Sequence, residues 1–208
     1  PVPLVPSAVI FDLASDRKRP GPDEGRAAAE NAVSDPVPQG RVGAGTGATV
    51  GKLLGPADVS AGGLGSSSRE WRGGVVGALA VVNALGQVVD DQGGILAGVR
   101  AEDGTFMDAD SLASSDGPTG EGMPGTNTTL VVVATDHPVG RVDLGRIAKV
   151  AATALPRAIT PVNTPFDGDV VFALSTGEAA RSMKPQDVLA LGVVARELVE
   201  EAIRKAVG

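Results

Sequence analysis

The sequence predicts a layered domain of mixed α and β structure, in which amphipathic helices cover buried strands. Apolar runs of strand length lie at 74–83, 129–136 and 169–176, and apolar residues share one helical face across 185–207. Hydrophobic residues make up 42% of the 208 residues but aromatic residues only 2%, so Val, Ala, Leu and Ile have to build the core. The order of elements does not alternate regularly, so the α/β and α+β classes are both compatible with it.

The strand at 74–83 is nearly all apolar and is therefore expected to be buried on both faces. The stretch 98–127 is rich in Asp, Ser, Gly and Pro and predicts a long loop without regular structure, a type of segment that is usually functional. The remaining predicted elements are helices at 23–33 and 142–155 and strands at 7–13 and 67–72.

Composition excludes several classes of function. Acidic residues number 25 against 18 basic ones, and the net charge of −7 argues against nucleic acid and against a polybasic membrane surface. No apolar run approaches the roughly 20 residues of a membrane span. The chain has no Cys, which excludes disulfides and thiol chemistry and fits the cytoplasm. Its start at Pro1, without a Met, is expected to be an internal point of a longer protein.

His137 is the single histidine, so a His-rich zinc site is impossible. A Ser-His-Asp triad would have to use this residue. Because Pro138 follows it, His137 is predicted to be a surface or turn residue. An enzyme built on this chain is therefore expected to use a base other than imidazole.

The glycine-rich segment 39–55 superficially resembles a nucleotide-binding loop. Residues 43–48 satisfy the G-x-G-x-x-A form, but that motif needs a strand before it and a helix after it, and prolines precede it here. The phosphate-binding P-loop pattern fails at Thr46 and Leu53. We therefore expect no nucleotide cofactor. The segment is either a plain turn with a solvated Lys52 or a loop that delivers Lys52 into a pocket.

The junction of Asn127 and Thr128 ends the predicted loop and begins a buried strand. A Thr hydroxyl there could attack the preceding carbonyl, convert the amide to an ester, and become a new N-terminus when the ester is hydrolysed. Its α-amine, with a reference pKa of about 7.7–8.0, could then serve as the general base without any histidine. The alternative is a turn Asn before an ordinary β-branched strand.

Asp167 and Asp169 flank a glycine in a predicted turn before the strand at 169–176. Two carboxylates beside an ammonium group would hold and orient it. The calcium-loop pattern fails because no further oxygen ligands follow at the right spacing, so no metal is expected.

Together, five blocks resemble the family of L-aminopeptidase/D-esterases, β-peptidyl aminopeptidases and 6-aminohexanoate-oligomer (nylon-oligomer) hydrolases, over essentially the whole chain. The resemblance implies a four-layer αββα sandwich of the α+β class and self-cleavage to an N-terminal nucleophile. It also implies a homo-oligomer of cleaved subunits, with a tetramer as the expected assembly. The blocks are SAVIFD at 7–12, GRVGAG at 40–45 with GK at 51–52, AVVN at 80–83, NTTL at 127–130, and DGD at 167–169 with VFA at 171–173.

Position by position, the resemblance implies that Thr128 is the nucleophile and that Asn127 precedes the cut. One hydrolase domain over 1–208 would thus divide into an α-fragment, 1–127, and a β-fragment, 128–208. Lys52 and Asn83 fall on polar pocket residues and are expected to stabilise the oxyanion, while Asp167 and Asp169 fall on the pair that supports the nucleophile. Phe11 falls on a substrate-binding position where the family has Tyr. The family also has an N-terminal part that this chain lacks.

The expected function is therefore hydrolysis of small amides, peptides or esters with a free amine, without cofactor or metal. One alternative is acyl transfer as in the ornithine acetyltransferases, which also expose a Thr by self-cleavage. Another is a non-catalytic relative of the fold, which the loss of the Tyr hydroxyl at Phe11 favours slightly.

Overall fold

A computed structural model describes residues 5–12, 19–116, 126–178 and 183–208. Two single turns of 3-10 helix, Gly43–Gly45 and Ala152–Ala154, accompany the longer elements. In chain order these are α1 (Pro22–Glu30), β1 (Thr49–Val50), β2 (Ser60–Ala61), β3 (Gly63–Trp71), β4 (Gly74–Asn83), β5 (Gln87–Val89), β6 (Ile95–Ala97), β7 (Val99–Arg100), β8 (Phe106–Met107), α2 (Ala109–Ser114), β9 (Thr128–Thr135), α3 (Arg141–Ala151), α4 (Leu155–Ala158), β10 (Ile159–Thr160), β11 (Val170–Ser175) and α5 (Pro185–Lys205).

The main sheet has four strands in the order β11-β9-β4-β3. β9 runs parallel to β11 and antiparallel to β4, and β4 pairs with β3 through a tight turn at Arg72 and Gly73. The parallel pair requires a long crossover, which α3 and α4 provide. Mixed parallel and antiparallel pairing with segregated helices confirms the α+β class.

The helices α3 and α5 pack on one face of this sheet and form the core with it. Small residues allow this close packing: a Cβ added at Gly65 on β3 would lie 2.0 Å from the carbonyl oxygen of Ala202 on α5. The core is therefore aliphatic, as the composition predicted. Its sheet side chains are Val76, Ala78, Ala80, Val82, Val131 and Val133, and its α5 side chains include Leu191, Ala195, Leu198 and Ile203.

The prediction that 74–83 is buried on both faces is wrong for the first half of β4. Burial alternates along 75–79 and becomes continuous only over 80–83. Val75 is 44% exposed and Leu174, on the same face of β11, is 43% exposed. Among the described residues, the helices cover only one face of the sheet.

The predicted loop at 98–127 contains regular structure. β7 and β8 form a small antiparallel pair, and α2 begins where the carboxylate of Asp108 accepts a hydrogen bond from the backbone N–H of Ser111 at 2.8 Å. Asp108 is the N-cap residue of this helix, which explains how a polar stretch could contain a helix that its composition concealed. Residues 117–125 of this stretch lie outside the described residues.

Other boundaries also differ from the predictions. The predicted strand at 7–13 is wrong for its described part, because 7–12 has no regular structure and Val9 is 84% exposed. The helix predicted at 142–155 ends at Ala151 and continues as a 3-10 turn, and Pro156 lies in the first turn of α4. None of the helices in the described ranges has both the length and the apolar character that a membrane-spanning helix needs.

Candidate active site

The junction of Asn127 and Thr128 is buried at the start of β9. Asn127 is 1% exposed and Thr128 is 4% exposed. The Thr128 hydroxyl donates a hydrogen bond to the backbone carbonyl oxygen of Asn127, with 2.6 Å between the oxygens. The hydroxyl therefore lies directly against the carbonyl group that a self-cleavage reaction would attack.

The segment 167–169 lies beside this junction and contacts it through its backbone. Asn127 forms a parallel bridge with Asp167 that precedes the β9–β11 pairing. The backbone N–H of Gly168 donates to the Asn127 carbonyl oxygen at 2.7 Å. This contact was missed by sequence reasoning, which treated Gly168 only as a turn residue. The flanking carboxylates were the only signal that pointed to this position.

The two carboxylates have different partners. Asp169 Oδ1 accepts the backbone N–H of Thr129 at 2.6 Å, whereas Asp169 Oδ2 is buried with no hydrogen-bond donor among the described residues. Burial raises the pKa of Asp169; the nearby Asp167 charge adds to the rise, and the Thr129 N–H opposes it. Asp167 Oδ2 instead accepts the N–H and the hydroxyl of Thr164, at 2.9 and 2.7 Å. Asp169 thus lies against the start of β9, and Asp167 holds the turn that precedes β11.

Asn83 ends β4 directly opposite Thr128 in the antiparallel register. Its Oδ1 accepts hydrogen bonds from Lys52 Nζ at 2.7 Å and from the Thr49 backbone N–H at 3.1 Å. These two donors fix the amide so that Nδ2 faces the other way. Nδ2 donates to the carbonyl oxygens of Thr126 and Phe11, both at 3.3 Å. The predicted oxyanion donor therefore lies at the junction, on the carbonyl one residue before Asn127.

Lys52 reaches the site from the glycine-rich segment. Backbone hydrogen bonds from Gly51 to Gly86 and from Lys52 to Leu85, both 2.9 Å, fix this loop beside the end of β4. Lys52 Nζ also donates to the Asn83 backbone carbonyl at 3.1 Å. The loop thus brings Lys52 into hydrogen-bonding contact with Asn83, and the side chain is not a freely solvated lysine.

Partial burial lowers the pKa of Lys52 from 10.5 to about 8, against the opposing attraction of the Asp167 and Asp12 carboxylates. The Lys52 ammonium therefore loses its proton at a lower pH than an ordinary lysine does. It is the one cation whose hydrogen bonds reach Asn83 among the described residues.

Phe11 and His137 differ from the residues above in how they relate to the Asn127–Thr128 junction. Phe11 contacts the site through its backbone carbonyl while its side chain is partly exposed, at 46% for the residue. His137 lies beyond the opposite end of β9, about 25 Å of extended chain from Thr128, where its Nε2 lies 2.8 Å from the Trp71 carbonyl oxygen. The His137 side chain therefore lies far from Thr128 within this chain. Within the described residues, no group of three or more His, Asp or Glu could hold a metal ion.

The sequence of this chain was compared with those of known proteins and protein families. The model of peptidase family S58 matches residues 1–208. An uncharacterised aminopeptidase of Mycobacterium bovis is 39% identical over 223 residues, covering 97% of this chain and 62% of that protein. A 6-aminohexanoate-oligomer endohydrolase of Kocuria sp. is 34% identical over 220 residues, covering 98% of this chain and 61% of that protein. The chain thus spans about three fifths of the length of these relatives.

Solved structures show the same fold. The L-aminopeptidase D-Ala-esterase/amidase of Ochrobactrum anthropi, a variant of the Ntn hydrolase fold, superposes with a TM-score of 0.61 at 25% identity. The match covers 88% of this chain and 48% of that one. The fold class expected from the resemblance is thereby confirmed, and these relatives carry hydrolase names, which does not favour the acyltransferase alternative. The chain belongs to peptidase family S58.

Proposed function

We propose that this chain supplies the nucleophile of an amide hydrolase of the aminopeptidase or amidase type, and that the nucleophile is Thr128 after self-cleavage behind Asn127. One observation carries the proposal: the buried Thr128 hydroxyl donates to the carbonyl oxygen of the residue before it at 2.6 Å. The hydrolase names of the relatives are consistent with it. The cut would divide one domain into fragments 1–127 and 128–208.

In the mature form, the Thr128 hydroxyl would attack the substrate carbonyl while its freed α-amine takes the hydroxyl proton and later protonates the leaving amine. Asp169 Oδ2, which has no described donor, is available to accept a hydrogen bond from this amine. Asp169 favours the ammonium form of the amine, and the nearby Lys52 charge favours the neutral, basic form. The two groups together would keep the pKa of the amine near neutral pH.

Asn83 would stabilise the oxyanion once the cut releases the preceding segment. In the uncut chain its Nδ2 donates to the carbonyl of Thr126. A cut behind Asn127 frees that carbonyl to leave, and Nδ2 then becomes available to a substrate oxygen. Lys52 would act mainly by holding Asn83 in this orientation, because its ammonium donates to Asn83 Oδ1.

The substrate class follows from charge. Two carboxylates, Asp167 and Asp169, lie beside the nucleophile and would attract the ammonium group of a small amide, peptide or ester. We also propose that the cleaved subunits assemble into a homo-oligomer, as the family resemblance implies.

Mass measurement of the full-length protein under denaturing conditions tests the proposal. We expect two fragments, and N-terminal sequencing of the smaller should begin Thr-Thr-Leu-Val. Thr128→Ala should leave one uncut chain with no amide hydrolysis. A wild-type protein that hydrolyses amides while remaining uncut would refute the proposed mechanism.

A further inference from the structure

The carbonyl oxygen of Asn127 accepts two hydrogen bonds from described residues. One comes from the Thr128 hydroxyl at 2.6 Å and the other from the backbone N–H of Gly168 at 2.7 Å. If Thr128 attacks, its hydroxyl becomes the nucleophile and loses its proton. The Gly168 N–H is then the described donor that remains on the oxygen where negative charge develops.

The position of this donor is fixed by the sheet. Asn127 and Asp167 form a bridge that continues the parallel register of β9 and β11, so the peptide that contains the Gly168 nitrogen is aligned with the Asn127 carbonyl. The Asp167 side chain anchors the other side of the turn through Thr164. A backbone donor held in this way needs little reorganisation as charge appears, which is the property that makes an oxyanion donor effective.

The absence of a side chain at Gly168 also matters. A Cβ added there would lie 3.1 Å from the Thr128 hydroxyl oxygen and 3.7 Å from the Asn127 carbonyl oxygen. The first distance is tighter than ordinary van der Waals contact, so a side chain would press on the attacking atom. Glycine therefore allows the donor and the nucleophile to share one carbonyl.

We propose that the backbone N–H of Gly168 is the oxyanion donor of the self-cleavage reaction. The inference rests on the proposed function. In the first step, Thr128 Oγ1 forms a bond to the Asn127 carbonyl carbon, the bond from that carbon to the Thr128 nitrogen breaks, and the hydroxyl proton ends on that nitrogen. In the second step, water adds to the ester carbon and the bond to Oγ1 breaks. Oγ1 regains a proton, and Asn127 is left as a carboxylate with release of one proton.

The same donor serves both steps because the same oxygen carries the charge in each tetrahedral intermediate. The ester is also of the same type as the acyl-enzyme that a substrate would form on Thr128. Gly168 therefore belongs to the catalytic machinery for substrates as well as for self-cleavage, beside Asn83.

An amide-to-ester replacement tests the donor directly. Cell-free translation with nonsense suppression can place glycolic acid at position 168, which replaces the N–H by oxygen and leaves the rest of the residue unchanged. The matched control is glycolic acid at Gly104, whose N–H donates to the Ala101 carbonyl at 2.9 Å in a turn outside the site. Denaturing gels of the full-length protein follow the cut over time.

We expect the replacement at 168 to slow self-cleavage by about 10²–10³-fold, the usual effect of losing one oxyanion donor. The replacement at 104 should slow it by less than about tenfold, since it removes only an ordinary turn hydrogen bond. Equal rates for the two replacements would overturn the inference. A wild-type protein that never cleaves would instead refute the proposed function itself.

A second measurement reads the hydrogen bond without any reaction. The Thr128→Val chain cannot cut and contains a single Asn-Val step, because none of the four Asn residues precedes Val in the natural sequence. Labelling Asn with ¹³C at the carbonyl and Val with ¹⁵N therefore isolates the Asn127 carbonyl in a triple-resonance spectrum. Glycolic acid at 168 should move that carbonyl resonance upfield, whereas glycolic acid at 104 should leave it in place. An unmoved resonance in the folded 168 variant would overturn the inference.

Discussion

The same dipeptide, Asn-Thr, occurs twice in the site region with opposite surroundings. At 127–128 both residues are buried and the Thr hydroxyl donates to the carbonyl of its own Asn. At 163–164 the Asn is exposed with a positive φ of 56°, and the Thr hydroxyl donates to the Asp167 carboxylate at 2.7 Å. Identical side chains therefore have different chemistry because different groups hold the hydroxyl.

Residues 167 and 168 contact both Asn-Thr dipeptides. The Asp167 carboxylate accepts the N–H and the hydroxyl of Thr164, and the backbone N–H of Gly168 donates to the Asn127 carbonyl. A hydroxyl bound to a carboxylate is directed away from its preceding carbonyl, which stabilises a turn. A hydroxyl that donates to that carbonyl lies beside the group that the proposed self-cleavage would attack. If the proposal holds, the surroundings of the dipeptide, and not the dipeptide alone, decide where the chain is cut.

The largest expected effect separates the two threonines. Thr128→Ala should abolish the cut completely, whereas Thr164→Ala should leave it in place, because only the first hydroxyl touches its preceding carbonyl. Denaturing mass spectrometry of each full-length variant measures this. A fragment beginning at Thr164, or a loss of the cut in Thr164→Ala with the fold intact, would contradict the distinction.

Asn83 lies beside the first of the two Asn-Thr dipeptides, opposite Thr128. Asn83→Ala should lower turnover of an amide substrate by about 10²–10³-fold through loss of an oxyanion donor. Asn83→Ala should also destabilise the fold, since Asn83 is buried and its Oδ1 accepts hydrogen bonds from Lys52 and Thr49. Leaving these donors unpaired should lower the free energy of unfolding by about 1–3 kcal/mol.

Activity per folded protein, determined alongside a denaturation curve, separates these two effects of Asn83→Ala. Asn31→Ala is the matched control, because Asn31 is exposed at the end of α1. Near-normal turnover in Asn83→Ala would remove Asn83 from the site.

The two aspartates should differ in their effect on pH dependence. Asp169→Asn removes a negative charge beside the Thr128 strand, so the pKa of the α-amine should fall and the acidic limb of the rate profile should move to lower pH by about one unit. Asp167→Asn should move it less and should mainly weaken the turn at Thr164, by about 1 kcal/mol. Profiles of kcat/KM against pH decide between them. His137→Ala should leave the limb in place, and a limb that vanishes in this variant would mean that imidazole is the base.

The smallest effect concerns Lys52, the cation that donates to Asn83 beside the first Asn-Thr dipeptide. Its pKa is about 8 when folded and 10.5 otherwise, so the unfolded chain binds more protons between these values. The free energy of unfolding should therefore rise as the pH increases from about 8 to 10.5. Partial solvent access reduces the gain to about 1 kcal/mol. Urea denaturation at several pH values should show this rise in the wild type and not in Lys52→Met, and equal curves would exclude a depressed lysine pKa.

Long, strongly patterned elements were predictable from the sequence. The apolar runs became β4, β9 and β11, and the amphipathic stretch became α5, because burial of one face imposes a clear period. Elements held by specific side chains were not. The helix α2 depends on the Gln87 side chain from β5, which accepts the Ala109 N–H and has no local sequence pattern. It also depends on the Asp108 cap, a local signal that the surrounding Asp and Ser residues obscured.

In the candidate site, too, some features were predictable from the sequence and others were not. The meeting of Thr128 with Asn83 and Lys52 was expected from the family resemblance, and the structure brings these residues together. The orientation of the Asn83 amide depends on Lys52 and Thr49 from a distant loop, so it could not be predicted locally. The Gly168 contact involves a backbone group that every residue but proline possesses, and only the strand register places it on Asn127.

The place of β9 inside the sheet has a consequence for the cut protein. β3 and β4 would belong to one fragment and β9, β11 and α5 to the other, so the seam runs along the β4–β9 ladder and beneath α5. Separation of the fragments would then break the hydrogen bonds and the apolar core that hold each of them folded. Unfolding of the cut protein would become a dissociation, and its thermal midpoint should depend on protein concentration, whereas an uncut monomer melts at one temperature at every dilution.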